Sequence, residues 1–211
     1  EVFYNNIKIG TLAAKPLSSI LDKRLCLFKF DNHILYEPTL YFYFNEIINL
    51  KCFQFNNFTR IDLCVDFQQF NNNLAPINFI KNFINNKYIK CGTSEFKMYS
   101  KQTPINKGKN TIKKFNQEPT YIRFGSNASN VSVYLYNKTL EITQASRKNY
   151  IIDLHNRSGF DKKKDVWRLE FSLKNINAIH LLTQYGELLQ ISKDNIMNST
   201  FLLNIFNSLI N

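Results

Sequence analysis

The segment TRIDLCVDF, residues 59–67, decides the fold because apolar side chains alternate in it with polar or charged ones. Successive side chains of a β-strand point to opposite faces of a sheet. The apolar side chains are therefore predicted on one face: Ile61, Leu63, Val65 and Phe67. The others are predicted on the second face: Arg60, Asp62, Cys64 and Asp66. We interpret the segment as a half-buried strand whose second face is either solvated or holds a charged ligand.

Two further segments show the same alternation. Residues 120–138 form a predicted hairpin, in which TYIRFG and VSVYLYNK flank the turn SNASN, and residues 166–173, VWRLEFSL, form another strand. If helices cover the apolar faces of all three segments, their other faces share one surface. That surface would carry ten charged or phenolic side chains: Arg60, Asp62, Asp66, Tyr121, Arg123, Tyr134, Tyr136, Lys138, Arg168 and Glu170.

Three segments outside these strands lie at residues 2–12, 24–50 and 75–87, and the sequence predicts the structure of the first and the last. VFYNNIKIGTL, residues 2–12, is typical of a hairpin or bent strand around an Asn-Asn pair. Residues 75–87 place Ile77, Ile80, Phe83 and Ile84 on one helical stripe behind a proline. Residues 24–50 contain short apolar runs that fit a strand or a helix equally well.

The rest of the chain completes the predicted architecture. Residues 94–100 predict a strand, and the lysine-rich residues 101–119 predict a loop that is either solvated or contacts a nucleic-acid strand. Residues 177–190 and 198–210 predict helices.

We therefore expect one α+β domain over residues 1–211, with a mostly antiparallel sheet and helices packed on one face of it. The sheet core would span residues 59–173, and a C-terminal helical segment would span residues 174–211.

The composition favours a globular protein with an anionic partner. Hydrophobic residues make up 44% of the chain, which argues against disorder, and the net charge of +11 favours nucleic acid over an acidic membrane or protein surface. No apolar run is long enough to cross a bilayer, so no membrane partner is expected. The four cysteines are widely spaced, which favours reduced thiols in an intracellular protein over disulfides or a zinc site.

The ten side chains of the predicted surface are of the types that phosphodiester chemistry requires. Carboxylates bind Mg²⁺ or Mn²⁺, arginines pair with phosphate oxygens, and a tyrosine hydroxyl can act as a covalent nucleophile. Asp62 and Asp66 lie four residues apart, which is roughly 13 Å on a regular strand, so both cannot hold one ion without a bulge. Pairing one aspartate with Glu170 is the more favourable arrangement, and it leaves the other for an arginine or a second metal.

Three motifs resemble the replication initiation factor family of rolling-circle plasmids, phages and integrative elements. They are RIDLCVDF, YIRFGSNASNVSVYLYNKTLE and VWRLEFSLK, and together they span about residues 59–173. The resemblance implies a fold similar to rolling-circle nicking domains and a relaxase-like activity that nicks one DNA strand at an origin. It also implies cytoplasmic action in a bacterial host on single-stranded or origin DNA, with a helicase as a candidate further partner.

The resemblance also implies roles for single residues. Asp62, Asp66 and Glu170 become candidate ligands of Mg²⁺ or Mn²⁺. Tyr136 becomes the first candidate nucleophile and Tyr134 the second. The candidate DNA contacts are Arg60, Arg123, Lys138, Arg168 and Tyr121. Leu140 stands where many family members carry a further tyrosine. If that tyrosine is the nucleophile of the family, the chain is either inactive or uses another tyrosine.

Other interpretations of these residues stay open. Asp62 and Glu170 are equally typical of ion pairs that fix strand register. Tyr121 and Tyr134 suit either base stacking or plain packing. His155 suits a metal site or a surface position without a role, and the lysines at 162–164 suit solvent or DNA contact. The protein would then be a catalytically inactive nucleic-acid-binding module, or a structural or assembly protein with a basic interaction face.

Overall fold

The computed structural model describes residues 1–16, 20–85, 96–100, 103–105, 119–126, 128–183 and 185–210. The chain forms two compact units, which we call the N-terminal unit (Glu1–Asn56) and the C-terminal unit (Asn57–Asn211). Antiparallel strands and helices occur in both, so the predicted α+β class is confirmed. The expectation of a single domain over both units stays a prediction. Within the described ranges, no helix is long and apolar enough to span a bilayer.

In its described residues, the N-terminal unit contains a three-stranded antiparallel sheet, a short 3₁₀ helix (Ile34–Tyr36) and one α-helix. The strands and the α-helix are β1 (Val2–Tyr4), β2 (Ile7–Ala14), β3 (Cys26–Phe30) and α1 (Leu40–Ile48). Asn5 and Asn6 turn the predicted hairpin with φ angles of 45° and 65°, which asparagine tolerates better than most residues. Ile9, Ile34 and Tyr43 form the buried core of this unit.

The C-terminal unit contains a six-stranded antiparallel sheet and four α-helices in the described part of the chain. Its elements are β4 (Arg60–Phe67), α2 (Pro76–Ile84), β5 (Phe96–Ser100), β6 (Thr103–Ile105), β7 (Tyr121–Phe124), β8 (Val131–Asn137), α3 (Lys138–Glu141), α4 (Asn149–Arg157), β9 (Trp167–Lys174), β10 (Leu181–Leu182), β11 (Leu188–Leu189) and α5 (Ser199–Ile210). The strand order is β4-β9-β8-β7-β5-β6, and β10 and β11 form a separate hairpin. All neighbouring strands run antiparallel.

Helices α2 and α5 cover the apolar face of the six-stranded sheet. Ile80 of α2 packs with Ile122, Leu135 and Trp167, all of them buried. Ile205 of α5 packs with Leu173 and the β10–β11 hairpin. These contacts confirm the core position of Trp167 and three residues of the predicted helical stripe, Ile77, Ile80 and Phe83. The fourth, Ile84, is exposed at the end of α2. Helix α4 differs, because its His155 reaches Asp66 on the opposite face. The expectation that helices pack on one face only is therefore too narrow.

The helix predicted over residues 177–190 is wrong, because the described residues of this range form a 3₁₀ turn and the β10–β11 hairpin. Gly186 adopts a φ of +82° in the hairpin loop, where the Thr183 carbonyl oxygen accepts a hydrogen bond from the Gly186 N–H at 2.9 Å. A glycine in that conformation breaks a helix and closes a turn. The predicted strand over residues 94–100 is confirmed for Phe96–Ser100, which form β5. Of the loop predicted over residues 101–119, Thr103–Ile105 form β6 instead, because they pair with β5, and most of the rest lies outside the described residues.

Candidate nucleic-acid interface

Strand register brings the polar side chains of four strands to one face of the six-stranded sheet. Asp66 lies opposite Arg168, which lies opposite Tyr136, which in turn lies opposite Tyr121. Cys64, Glu170, Tyr134 and Arg123 form the next row in the same way. We call this surface the polar face: Arg60, Asp62, Cys64, Asp66, Tyr121, Arg123, Ser132, Tyr134, Tyr136, Arg168, Glu170 and Ser172. Nine of the ten predicted residues lie on it, which confirms the shared surface although not their roles.

Lys138 is the tenth predicted residue and lies just outside the sheet, at the start of α3. Its Nζ atom lies 5.6 Å from the centre of the Tyr136 ring and 2.6 Å from a carboxylate oxygen of Glu141. Only 3% of Lys138 is exposed, and burial lowers its pKa despite the opposing effect of Glu141. The structure therefore gives the buried Lys138 an ion-pair partner, Glu141, whose side chain is 30% exposed, and a place beside Tyr136.

Tyr136 and Glu170 form a hydrogen bond across two adjacent strands. The Tyr136 hydroxyl donates to Oε2 of Glu170 at 3.0 Å, and both side chains are half-buried. Burial, followed by the negative charge of Glu170, raises the pKa of Tyr136 above its ordinary value. The phenol therefore keeps its proton at neutral pH, and the group placed to accept that proton is the Glu170 carboxylate.

Asp66 lies at the more buried end of the polar face. Its carboxylate accepts hydrogen bonds from Nε and Nη2 of Arg168 at 2.6 and 2.7 Å, and Nε2 of His155 lies 2.8 Å from it. Burial alone would raise the pKa of Asp66, but its bonds to Arg168 and His155 outweigh burial and lower it. Arg168 and His155 are 5% and 7% exposed, so this ion-pair network is shielded from solvent.

Asp62 and Arg60 form an exposed pair at the other end of the polar face. Arg60 Nε donates to Oδ1 of Asp62 at 2.8 Å, and 52% and 39% of the two side chains are exposed. This hydrogen bond raises the pKa of Arg60. An ion pair that is open to water contributes little to stability, so both groups are available to a ligand at low cost.

Three tyrosines and an arginine cluster in the middle of the polar face. The Tyr121 ring lies 6.2 Å from Tyr134 and 6.4 Å from Tyr136, and the Arg123 guanidinium lies 5.2 Å from the centre of the Tyr134 ring. Half-buried aromatic rings on a sheet, next to guanidinium groups, are suited to stacking with nucleic-acid bases.

The three predicted metal ligands do not converge on one site. Asp62 binds Arg60, Asp66 binds Arg168 and His155, and Glu170 accepts the Tyr136 hydroxyl. Among the described residues, no group of three His, Cys, Asp or Glu side chains is placed to hold a metal ion. The donor set at these positions does not fit Mg²⁺ or Mn²⁺ without rearrangement, and metal binding stays a prediction.

The sequence predicted no role in the site for Glu141 and Asn137, and it left His155 open between a metal site and a surface position, whereas His155 is 7% exposed. His155 and Ile151 are four residues apart on α4 and both are buried, a helical spacing that was present in the sequence. Asn137 caps α3 by accepting the Leu140 N–H at 2.9 Å, and its amide donates to Asp165 at 2.7 Å. An asparagine directly before a helix is a typical N-cap, so this role could have been predicted from the sequence.

The positive charge of the chain is concentrated in the C-terminal unit. Residues 57–211 contain 21 Lys and Arg against 11 Asp and Glu, so they carry +10 of the net +11. The N-terminal unit, with six basic and five acidic residues, is nearly neutral.

No protein-family model matches the chain, and no curated protein matches its sequence.

Proposed function

We propose that this protein binds single-stranded DNA on the polar face and nicks it with Tyr136 as the nucleophile. The observation that carries the proposal is the 3.0 Å hydrogen bond from the Tyr136 hydroxyl to Glu170. A tyrosine with a raised pKa is a weak nucleophile until a base removes its proton, and a carboxylate within hydrogen-bond distance is a suitable base.

The reaction is a transesterification at phosphorus. The Tyr136 oxygen forms a bond to the phosphorus atom while its proton passes to Glu170, and the bond from phosphorus to the 3′ oxygen breaks. The 3′ oxygen takes a proton from water and leaves as a hydroxyl, and the 5′ phosphate stays on the tyrosine. Arg60 is exposed on the same face, where a guanidinium can neutralise charge on the phosphate oxygens.

Several features support DNA as the substrate. The polar face belongs to the unit that carries +10 of the net charge, and its tyrosines provide rings on which unpaired bases can stack. The resemblance to replication initiation factors extends the proposal to origin nicking in a bacterial cytoplasm, with Mg²⁺ or Mn²⁺ as cofactor and a helicase as a further partner. The same resemblance suggests that the fold is related to that of rolling-circle nicking domains.

The experiment is an adduct assay. The protein is incubated with labelled single-stranded DNA and Mg²⁺ or Mn²⁺, and covalent complexes are separated on a denaturing gel. We expect an adduct with the wild type and with Tyr41→Phe, which removes an exposed hydroxyl in α1, and none with Tyr136→Phe. Tyr134→Phe tests the second candidate nucleophile.

If Tyr136→Phe still forms an adduct, the nucleophile is another tyrosine. The absence of an adduct with the wild type would contradict nicking altogether. A parallel reaction with EDTA tests the metal prediction separately, because adduct formation that resists chelation does not depend on Mg²⁺ or Mn²⁺.

The second candidate function is a binding module without catalysis. The observation that favours it is that the Asp66 carboxylate forms buried ion pairs with Arg168 and His155. Such a network stabilises the fold and leaves Asp66 unavailable to a metal ion. Such a protein would bind single-stranded DNA with strong salt dependence and form no adduct.

A further inference from the structure

The turn between α4 and β9 presents three consecutive lysines in a fixed conformation. We call it the lysine turn, residues Asp161 to Asp165, with Lys162, Lys163 and Lys164 at its centre. All five residues are exposed. Nevertheless the Gln68 amide donates to the carbonyl oxygens of Asp161 and Lys164 at 2.7 and 3.0 Å, and its oxygen accepts the Asp161 N–H at 3.0 Å. One side chain therefore holds both ends of the turn.

Both acidic residues of the lysine turn accept hydrogen bonds from the protein. Asp161 accepts the Lys163 N–H at 2.9 Å, and Asp165 accepts the Asn137 amide at 2.7 Å. Among the residues that the structure describes, none of the three lysine ammonium groups forms an ion pair. The two carboxylates thus have partners within the fold, and the ammonium groups remain directed at solvent or at a ligand.

The lysine turn is attached to the strand that carries Tyr136. Asn137, the next residue, donates to Asp165, and the N–H groups of Lys138 and Thr139 both donate to the carbonyl oxygen of Val166. Lys164 is four residues before Arg168, so the two Cα atoms lie within about 14 Å of each other, and Arg168 lies opposite Tyr136 in the sheet. A DNA strand that reaches Tyr136 passes this distance within a few nucleotides.

We propose that the lysine turn is a second binding site for the phosphodiester backbone of single-stranded DNA, next to Tyr136. The inference rests on the proposed function for its ligand. Ammonium groups on a turn that is already ordered bind phosphates without having to order the backbone first. The contact is independent of sequence, because it involves phosphate and not base edges. It would hold the strand on one side of the nucleophile.

The test is the salt dependence of DNA binding by a triple variant, Lys162→Gln, Lys163→Gln and Lys164→Gln. Affinity for a labelled single-stranded oligonucleotide is measured by fluorescence anisotropy between about 50 and 200 mM salt. Each lost phosphate contact reduces the slope of log affinity against log salt by about 0.7 for single strands, so we expect a reduction of about 2.

A matched control keeps the change in net charge and moves it elsewhere. Lys15→Gln, Lys29→Gln and Lys51→Gln remove three exposed lysines of the N-terminal unit. We expect this variant to keep the wild-type slope. Equal slopes for the lysine-turn variant and the wild type, or equal losses in the two triple variants, would overturn the inference while leaving the proposed function intact. Failure of the wild type to bind would overturn both.

Gln68→Ala separates the order of the turn from its charge. The variant keeps all three lysines, so we expect the slope to stay close to that of the wild type. The affinity should fall about two- to tenfold, because the freed backbone must be ordered on binding. Unchanged affinity would show that the hydrogen bonds of Gln68 do not matter for the contact, and it would contradict the preorganised site.

Discussion

The two aspartates of β4 lie on the same face, and each is bonded to an arginine, but they differ in burial. Asp66→Asn leaves the Arg168 cation, 5% exposed, without a carboxylate. We expect the free energy of unfolding to fall by about 3–5 kcal/mol, the usual result of breaking a buried pair. Asp62→Asn breaks an exposed pair and should cost at most about 1 kcal/mol. Urea denaturation measures both, and equal losses would contradict the assigned burial.

The same variants give a pH signature. The pKa of Asp66 is lowered in the folded state, so its contribution to stability is complete above the ordinary aspartate pKa of about 3.9. The contribution is lost as pH falls through the lower pKa of the folded state. The stability difference between the wild type and Asp66→Asn should therefore shrink as the pH falls below about 4. A difference that grows on acidification would mean that the pKa is raised.

At this scale, the sequence predicted which side chains share a face but not which of them pair. Alternation along a strand places Asp62 and Asp66 together whatever the rest of the chain does. The contact of Asp66 with His155, in contrast, requires α4 to pack over one end of the polar face. A tertiary contact between residues 89 positions apart leaves no local pattern in the sequence.

Among the elements, the β7–β8 hairpin depends on a glycine. Gly125 has a φ of +88°, and a Cβ atom there would lie 2.9 Å from the carbonyl oxygen of Val131. Gly159 has a similar φ of +79° but no atom within 4 Å of such a Cβ. Both substitutions by alanine should strain the backbone, and Gly125→Ala should cost about 1–3 kcal/mol more because of the clash. Thermal or urea unfolding of the two variants tests this, and equal losses would contradict it.

The elements that the sequence predicted well are those with a period of their own. The alternation in β4, β7, β8 and β9 and the helical stripe of α2 are local properties, and each is found where it was expected. The helix predicted over residues 177–190 is wrong because the leucine pairs there fit a helical stripe, whereas Gly186 and packing against α5 favour a hairpin. Short apolar runs are decided by their tertiary partners.

For the whole molecule, the unequal charges of the two units predict that DNA binding resides in the C-terminal unit. The six-stranded sheet, the lysine turn and a net charge of +10 all belong to residues 57–211, which have their own buried clusters around Ile80 and Ile205. A fragment of residues 57–211 should therefore fold and bind single-stranded DNA within a few-fold of the full chain, with the same salt slope. Anisotropy measurements test the binding, and circular dichroism tests the folding.

The complementary fragment sharpens this prediction. Residues 1–56 are nearly neutral and have only a small core around Ile9, Ile34 and Tyr43, so they should show no salt-dependent affinity for DNA. If the 57–211 fragment folds but loses most of its affinity, the N-terminal unit contributes contacts that charge alone does not reveal.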